Sequence, residues 1–267
     1  MEDHAASTDV AHRCDLALDL ARGAGDILRS GLGRATVEHK GTLELVTEFD
    51  RASERYIVDR MTAAFPDDGL LAEEGSQRPG TSWRWHIDPL DGTTNYAHGL
   101  PHFAVSIGGE RDGVLEFGVV YDPTRDEMFT AVRGRGASLN DQPIHVSAAS
   151  SLEESLLVTG FPYDLRQNPD NNLDLFAHLA QRSLAVRRFG AAALDLAYVA
   201  AGRFDAYWEL RLSPWDLAAG VVLVREAGGV VSRADGGPDP LRPPPSIAAS
   251  NGHLHTQLLE ALRAGRR

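Results

Sequence analysis

Three short segments gather the side chains best able to do chemistry. Glu73 and Glu74 form the first. The second is Asp88-Pro89-Leu90-Asp91-Gly92-Thr93-Thr94-Asn95, and the third is Trp215-Asp216 running into Leu217-Ala218-Ala219-Gly220. Carboxylates are hard oxygen donors of the kind that hold Mg2+ while leaving it some water. Asp88 and Asp91 lie three apart across a proline, a spacing that lets both turn toward one point. Gly92 permits a tight backbone. If a helix starts there, the amides of Gly92, Thr93 and Thr94 face outward at its positive end, where an anion such as phosphate is favoured. One segment thus offers metal ligands and an anion cradle together.

Each piece has a plainer reading. Asp216 follows Ser213-Pro214, so it fits the first turn of a helix capped by Ser213. Asp50 fits a helix N-terminus in the same way. Adjacent glutamates are usually solvated, and Asp-Pro often opens a turn. A turn alone does not call for two acids, two threonines and an asparagine in eight residues. Elsewhere the plain readings prevail. His98 and His102 are four apart, but Gly99 and Pro101 break any helix that would align them. Trp83, Trp85 and Trp215 read as packing residues, and Arg133-Gly134-Arg135-Gly136 as a turn.

Hydrophobic periodicity supplies the elements that carry these residues. Helices are predicted at about Ala11 to Leu28, Asp50 to Phe65, Asn172 to Gln181, Ala192 to Ala201, Pro214 to Ala227 and from Leu254 onward. Strands are predicted at Thr36 to His39, Gly69 to Ala72, Trp83 to Asp88, Val105 to Gly108, Leu115 to Tyr121, Glu127 to Val132, Leu156 to Thr159, Phe204 to Trp208, Gly229 to Ser232 and Ile247 to Ala249. Asp235 to Pro245, rich in Pro and Gly, reads as an exposed loop. A strand meander gives way to alternation near Ser147. The expected organisation is therefore α/β with two sub-domains in one body. Residues 1–146 carry the metal and phosphate site, and 147–267 contribute Asp216 and substrate contacts.

The 267 residues are 43% hydrophobic, enough for a sizeable core, and carry a net charge of -12. Such acidity argues against direct nucleic-acid contact, which draws on Lys and Arg. It is compatible with a phosphate substrate where a metal reverses the local field. The single cysteine, Cys14, excludes an internal disulfide and a Cys-rich zinc site. The N-terminus has no basic and apolar leader pattern, and no run approaches the roughly 18 apolar residues of a membrane span. The expectation is a soluble cytoplasmic protein.

The string DPLDGTTNYAHGLP (Asp88 to Pro101) closely resembles the signature of the inositol monophosphatase family. So do LVTEFDRASE (Leu45 to Glu54), LAEEGS (Leu71 to Ser76), TGFPYD (Thr159 to Asp164), FGAAALDLAYVAAGRFDAYWE (Phe189 to Glu209) and SPWDLAAG (Ser213 to Gly220), in the order the family has them. The resemblance implies a layered α/β/α/β/α fold, a homodimer, catalysis with two to three Mg2+ ions and inhibition by lithium. It assigns Glu73, Asp88, Asp91 and Asp216 to the metals, with the Leu90 carbonyl as a backbone ligand. Asp50 and Thr93 correspond to the pair that activates water, with Glu73 also in the catalytic set. Asp91, Gly92, Thr93, Thr94, Ala192 and Glu209 correspond to substrate contacts. Lys40 resembles a lysine of the mobile metal loop, which is one residue shorter here.

Inositol 1-phosphate is the first substrate the resemblance suggests. Relatives act on histidinol phosphate, fructose 1,6-bisphosphate or adenosine 3′,5′-bisphosphate, and some bacterial members join transcription complexes. An aspartyl-phosphate phosphatase of the haloacid dehalogenase type is disfavoured. Its acids are two apart at an N-terminal strand, whereas Asp88 and Asp91 are three apart and well into the chain.

Overall fold

The computed structural model describes residues 2–39 and 44–266. Lys40 falls outside them. The first half opens with α1 (Glu2–Gly31), β1 (Val37–His39), β2 (Leu45–Thr47) and α2 (Glu48–Ala64). It continues through β3 (Gly69–Ala72), β4 (Gln77–Arg78), β5 (Trp83–Asp91), α3 (Thr93–Ala97), β6 (Ala104–Arg111), β7 (Val114–Asp122), β8 (Glu127–Val132), β9 (Ala137–Leu139) and β10 (Gln142–Ile144). The second half holds β11 (Leu156–Thr159), α4 (Leu173–Ala180), β12 (Ala185–Arg187), α5 (Ala192–Ala200), β13 (Ala206–Leu210), α6 (Pro214–Glu226), β14 (Val230–Ser232), β15 (Ser246–Ser250) and α7 (His255–Gly265).

An eight-stranded sheet runs β10-β9-β8-β7-β6-β5-β3-β4, and a five-stranded sheet runs β12-β11-β13-β15-β14. A sheet must bury its apolar face against another layer. Here α1 and α2 pack against each other and against the outer face of the large sheet. α5 and α6 fill the space between the sheets, and α4 and α7 pair beside the small sheet. The result is five layers, α/β/α/β/α. Three apolar clusters follow that order: one under α1 and α2, one around α5 and α6, and one beneath α4 and α7.

Close approach seats the central layer. A Cβ built on Gly118 of β7 would lie 2.3 Å from the Ala219 carbonyl oxygen, and one on Gly108 of β6 would lie 2.7 Å from the Ala218 methyl. The two glycines let α6 lie flush on the sheet, and α6 carries Asp216.

Most predicted elements are present, with shifted bounds. The strand predicted to end at Asp88 continues to Asp91. Asp88 pairs with Ser106 and Asp91 with Ala104, so three steps on β5 oppose two on β6. Pro89 cannot donate to a ladder, and a bulge is where a strand tolerates it. The strand predicted at Phe204 to Trp208 instead spans Ala206–Leu210 and so includes Glu209. The first helix begins at Glu2, ahead of the apolar pattern from Ala11.

Candidate active site

Five elements deliver side chains to one cavity of about 230 Å³. Its lining includes Glu73, Asp88, Leu90, Asp91, Gly92, Thr93, Thr94, Ala192, Glu209 and Asp216. Of the predicted site residues in the described chain, only Asp50 is absent from the lining. It lies directly behind Thr93.

Asp50 is fixed by the start of α2. Thr47 is the N-cap, and Asp50, three residues on, completes a capping box. The Thr47 amide and hydroxyl donate to Asp50 Oδ2 at 2.9 and 2.5 Å. Asp50 Oδ1 is thereby left facing Thr93, whose Oγ1 lies 3.0 Å away and also 3.0 Å from the Leu90 carbonyl. Burial raises the Asp50 carboxyl above its ordinary range, against the hydrogen bonds from Thr47 and Thr93.

The bulge in β5 orients the next two acids. Asp88 Oδ1 accepts the Leu90 amide at 3.0 Å. Asp91 reaches across to α5, accepting from the amides of Ala192 (3.0 Å), Ala193 (2.8 Å) and Leu194 (3.4 Å). It thus occupies the positive end of that helix. Gly92, at φ +90°, turns the chain into α3. A Cβ there would stand 3.1 Å from the His102 carbonyl oxygen. Asn95 then ties α3 down, donating to the carbonyls of His102 and Phe189 at 2.9 and 2.8 Å.

Asp216 is the third residue of α6, behind Pro214, and its Oδ2 accepts the Ser213 amide at 2.7 Å. One carboxylate both caps the start of the helix and lines the cavity. Glu73 sits just beyond β3, its amide bonded to the Ile87 carbonyl at 3.2 Å. Glu54 of α2 holds that turn, accepting from the amides of Glu74 (2.7 Å) and Ser76 (3.1 Å).

The charges are crowded. Asp88 is held well above the carboxylate range, first by burial and then by Glu73, Asp91 and Asp216, and it shares a hydrogen bond with Glu73. Asp216 is raised by burial and by Glu73, with the Ser213 amide opposing. Burial lifts Asp91 to about 6 against the pull of the α5 amides. Among the described residues, no three acids, histidines or cysteines are already drawn together closely enough to hold an ion. The donor chemistry nonetheless fits a hard divalent cation. Four buried or half-buried carboxyls face one cavity, and burying them without a compensating cation is costly.

Glu209 also lines the cavity, accepting the Tyr207 hydroxyl at 2.6 Å. Burial pushes it up to about 7, while Tyr207 and Arg188 pull it down. Gly160 makes room for it, since a Cβ there would be 2.1 Å from Glu209 Oε2. The residue-by-residue reading missed Glu54, Arg188 and Arg211, which support or rim the site. It also missed Asp195, 1% exposed, whose two oxygens have no hydrogen-bond partner among the described residues. Glu54 and Asp195 lie in motifs that carry the family resemblance. Nothing in local spacing marks the two arginines.

The profile of the inositol monophosphatase family matches residues 9–267. The chain is 50% identical over 227 residues to the Nus factor SuhB of Pseudomonas aeruginosa, covering 82% of this chain and 84% of that protein. It is 44% identical over 261 residues to the inositol-1-monophosphatase of Synechocystis, covering 96% and 91% respectively. The solved inositol monophosphatase of Anabaena superposes with a TM-score of 0.87 at 45% identity, covering 96% of this chain and 97% of that one. The chain belongs to the inositol monophosphatase family, and its class of chemistry is phosphomonoester hydrolysis.

Proposed function

We propose that the chain hydrolyses a small polyol or sugar phosphomonoester, with inositol 1-phosphate the first candidate, and that Mg2+ is its cofactor. The observation that carries this reading is the Asp50–Thr93 pair beside Glu73, Asp88, Asp91 and Asp216 on one cavity. Glu73, Asp88, Asp91, Asp216 and the Leu90 carbonyl would hold two to three ions, which when bound supply Lewis acidity to water and phosphate. Thr93 positions the attacking water, and Asp50 accepts the Thr93 hydroxyl proton and so turns its lone pairs toward that water. The amides of Gly92, Thr93 and Thr94 receive the phosphoryl oxygens. Glu209 accepts from substrate hydroxyls, with Ala192 as the floor beside the ring. Residues 1–146 and 147–267 act as two sub-domains that meet at this cavity, with Lys40 as a further candidate residue.

Phosphate release tests this reading. With Mg2+, inositol 1-phosphate is expected to turn over fastest in a panel with histidinol phosphate, fructose 1,6-bisphosphate and adenosine 3′,5′-bisphosphate, and lithium is expected to inhibit. A preference for another ester reassigns the substrate. No release from any ester, by folded protein, removes the reading.

A second reading is favoured by the 50% identity to a protein named as a Nus factor: membership of a transcription complex. Pull-down of RNA polymerase with the purified chain tests it independently of turnover. We also propose a homodimer and a cytoplasmic location. Among the described residues, no helix is long and apolar enough to cross a membrane.

A further inference from the structure

We propose, resting on the Mg2+ reading of the carboxylate cavity, that Ser53 and Glu54 of α2 are positioning residues for the metal ligands and so set the affinity for a divalent cation. The buried residues of α2 are Asp50, Ser53, Glu54, Ile57 and Met61, spaced so that they share one face. Ile57 and Met61 are apolar, as packing against a sheet requires. The part of the face nearer the site is polar instead. A buried polar group is costly unless it is hydrogen-bonded, and Ser53 and Glu54 each find their partner on a strand end that carries proposed metal ligands.

A peptide group is planar, so a side chain is aimed by the two peptide planes that flank its residue. Both planes around Glu73 are pinned. The Glu73 amide donates to the Ile87 carbonyl at 3.2 Å, which ties the plane before Glu73 to β5 at the residue ahead of Asp88. Glu54 ties the plane after Glu73 to α2, its Oε2 accepting the Glu74 amide at 2.7 Å. Its Oε1 accepts the Ser76 amide at 3.1 Å across the same turn. Ser53 acts likewise on the bulge of β5. Its hydroxyl donates to the Pro89 carbonyl at 2.9 Å. The amide of that same peptide, on Leu90, donates to Asp88 Oδ1 at 3.0 Å. The plane leading into Leu90 is thus held at both ends. Asp50, one turn earlier on α2, reaches the Leu90 carbonyl through Thr93. One helix face therefore fixes Glu73 relative to Asp88 and Leu90. Ligands held in place before an ion arrives lose less freedom on binding it. Glu54 also uses both oxygens as acceptors, so a glutamine there would turn its NH2 on one of the two amides.

Mn2+ is the probe. Its binding to the full chain is counted from the free-ion signal in electron paramagnetic resonance, and phosphate release is measured against Mg2+ concentration. Glu54→Gln is expected to weaken Mn2+ binding about tenfold or more, as removal of a group that orients metal ligands does. The half-saturating Mg2+ should rise by a similar factor, with a smaller change in kcat at saturating Mg2+. Ser53→Ala is expected to weaken Mn2+ binding about threefold or more, the size of one buried hydrogen bond. Leu258→Ala destabilises the fold from beneath α7 and is expected to leave Mn2+ binding unchanged. Circular dichroism verifies that each variant is folded. Wild-type Mn2+ affinity in Glu54→Gln overturns the proposal. So does an equal loss in Leu258→Ala, which would mean that Ser53 and Glu54 serve stability alone. Where Glu54→Gln does not fold, Ser53→Ala decides, and wild-type affinity there overturns the proposal. Glu73→Gln tells this failure from failure of the metal reading. Loss of Mn2+ in Glu73→Gln, with none in the two positioning variants, removes the positioning role alone. Folded wild-type protein that binds no Mn2+ at about 10 mM removes both.

Discussion

Asp91 caps α5 and is proposed as a metal ligand, two roles whose energies differ widely, so one substitution separates them. As a cap it accepts three α5 amides. Asparagine caps nearly as well as aspartate, so Asp91→Asn should cost about 1 kcal/mol, read as a drop of a few degrees in Tm. Turnover should fall by a factor on the order of 10³, because the neutral amide no longer offers a charged ligand beside the reacting phosphate. Near-normal turnover would take Asp91 out of the site. Asp195 should behave in the opposite way. In an unfolded chain an aspartate loses its proton near pH 3.9. In the fold, burial first and then Glu209 and Asp91 hold the proton on to well above that pH. The folded state therefore binds more protons from about pH 4 upward, and stability drains away as pH rises toward the folded value. Asp195→Asn removes that drain. Its Tm should match the wild type near pH 4 and exceed it at pH 7, by an amount worth about 1 kcal/mol or more. A Tm difference that does not change with pH would mean that Asp195 is ionised in both states. Cys14 gives a third check. Burial pushes its thiol up to about 12, so a disulfide reagent at pH 8 should label it only after unfolding in guanidinium.

At the scale of elements, the seat of α6 decides where Asp216 points. Gly118→Ala puts a methyl against the Ala219 backbone, and backbone cannot rotate away as a side chain can. The helix must lift, costing about 1–3 kcal/mol as overpacking. It should also lower kcat more than Leu258→Ala, a cavity mutation under α7 far from the site. Denaturant melts and phosphate release on both variants make the comparison. Equal kcat values would mean that the glycine serves stability alone. The sequence shows this feature only faintly. Period-two alternation predicts β7, but it does not say that a helix lies on Gly118, because the pattern reports burial and not the partner. The same limit explains the misplaced end of β5. Pro89 is a strong local stop signal, and only pairing with β6 shows that the strand bulges around it and resumes. The short strands β4, β9, β10 and β12 are two or three residues each, too short to show a period. The carboxylate string was legible because it breaks local rules: no turn or cap needs that many oxygen donors in eight residues.

For the whole molecule, the layered order was legible through motif order and not through periodicity, which gives elements but not their stacking. The proposed homodimer is where the whole molecule offers its own test. Large apolar side chains are mostly buried, yet Leu100 is 53% exposed, Leu184 69% and Phe189 39%. Leu184 and Phe189 flank β12. Asn95 links the Phe189 carbonyl to that of His102, and the Phe189 and His102 rings lie 4.9 Å apart. Two residues from His102 stands Leu100. In the proposed homodimer these exposed residues would line the contact face, and a twofold axis would let that face cover itself. Light scattering should give twice the chain mass. Leu100→Asp combined with Leu184→Asp should give a monomer with its circular dichroism intact, since neither side chain is part of the core. If the wild type runs as a monomer at micromolar concentration, or the double variant remains a dimer, that face is not the interface. If the monomer keeps full kcat, each cavity is complete within its own chain.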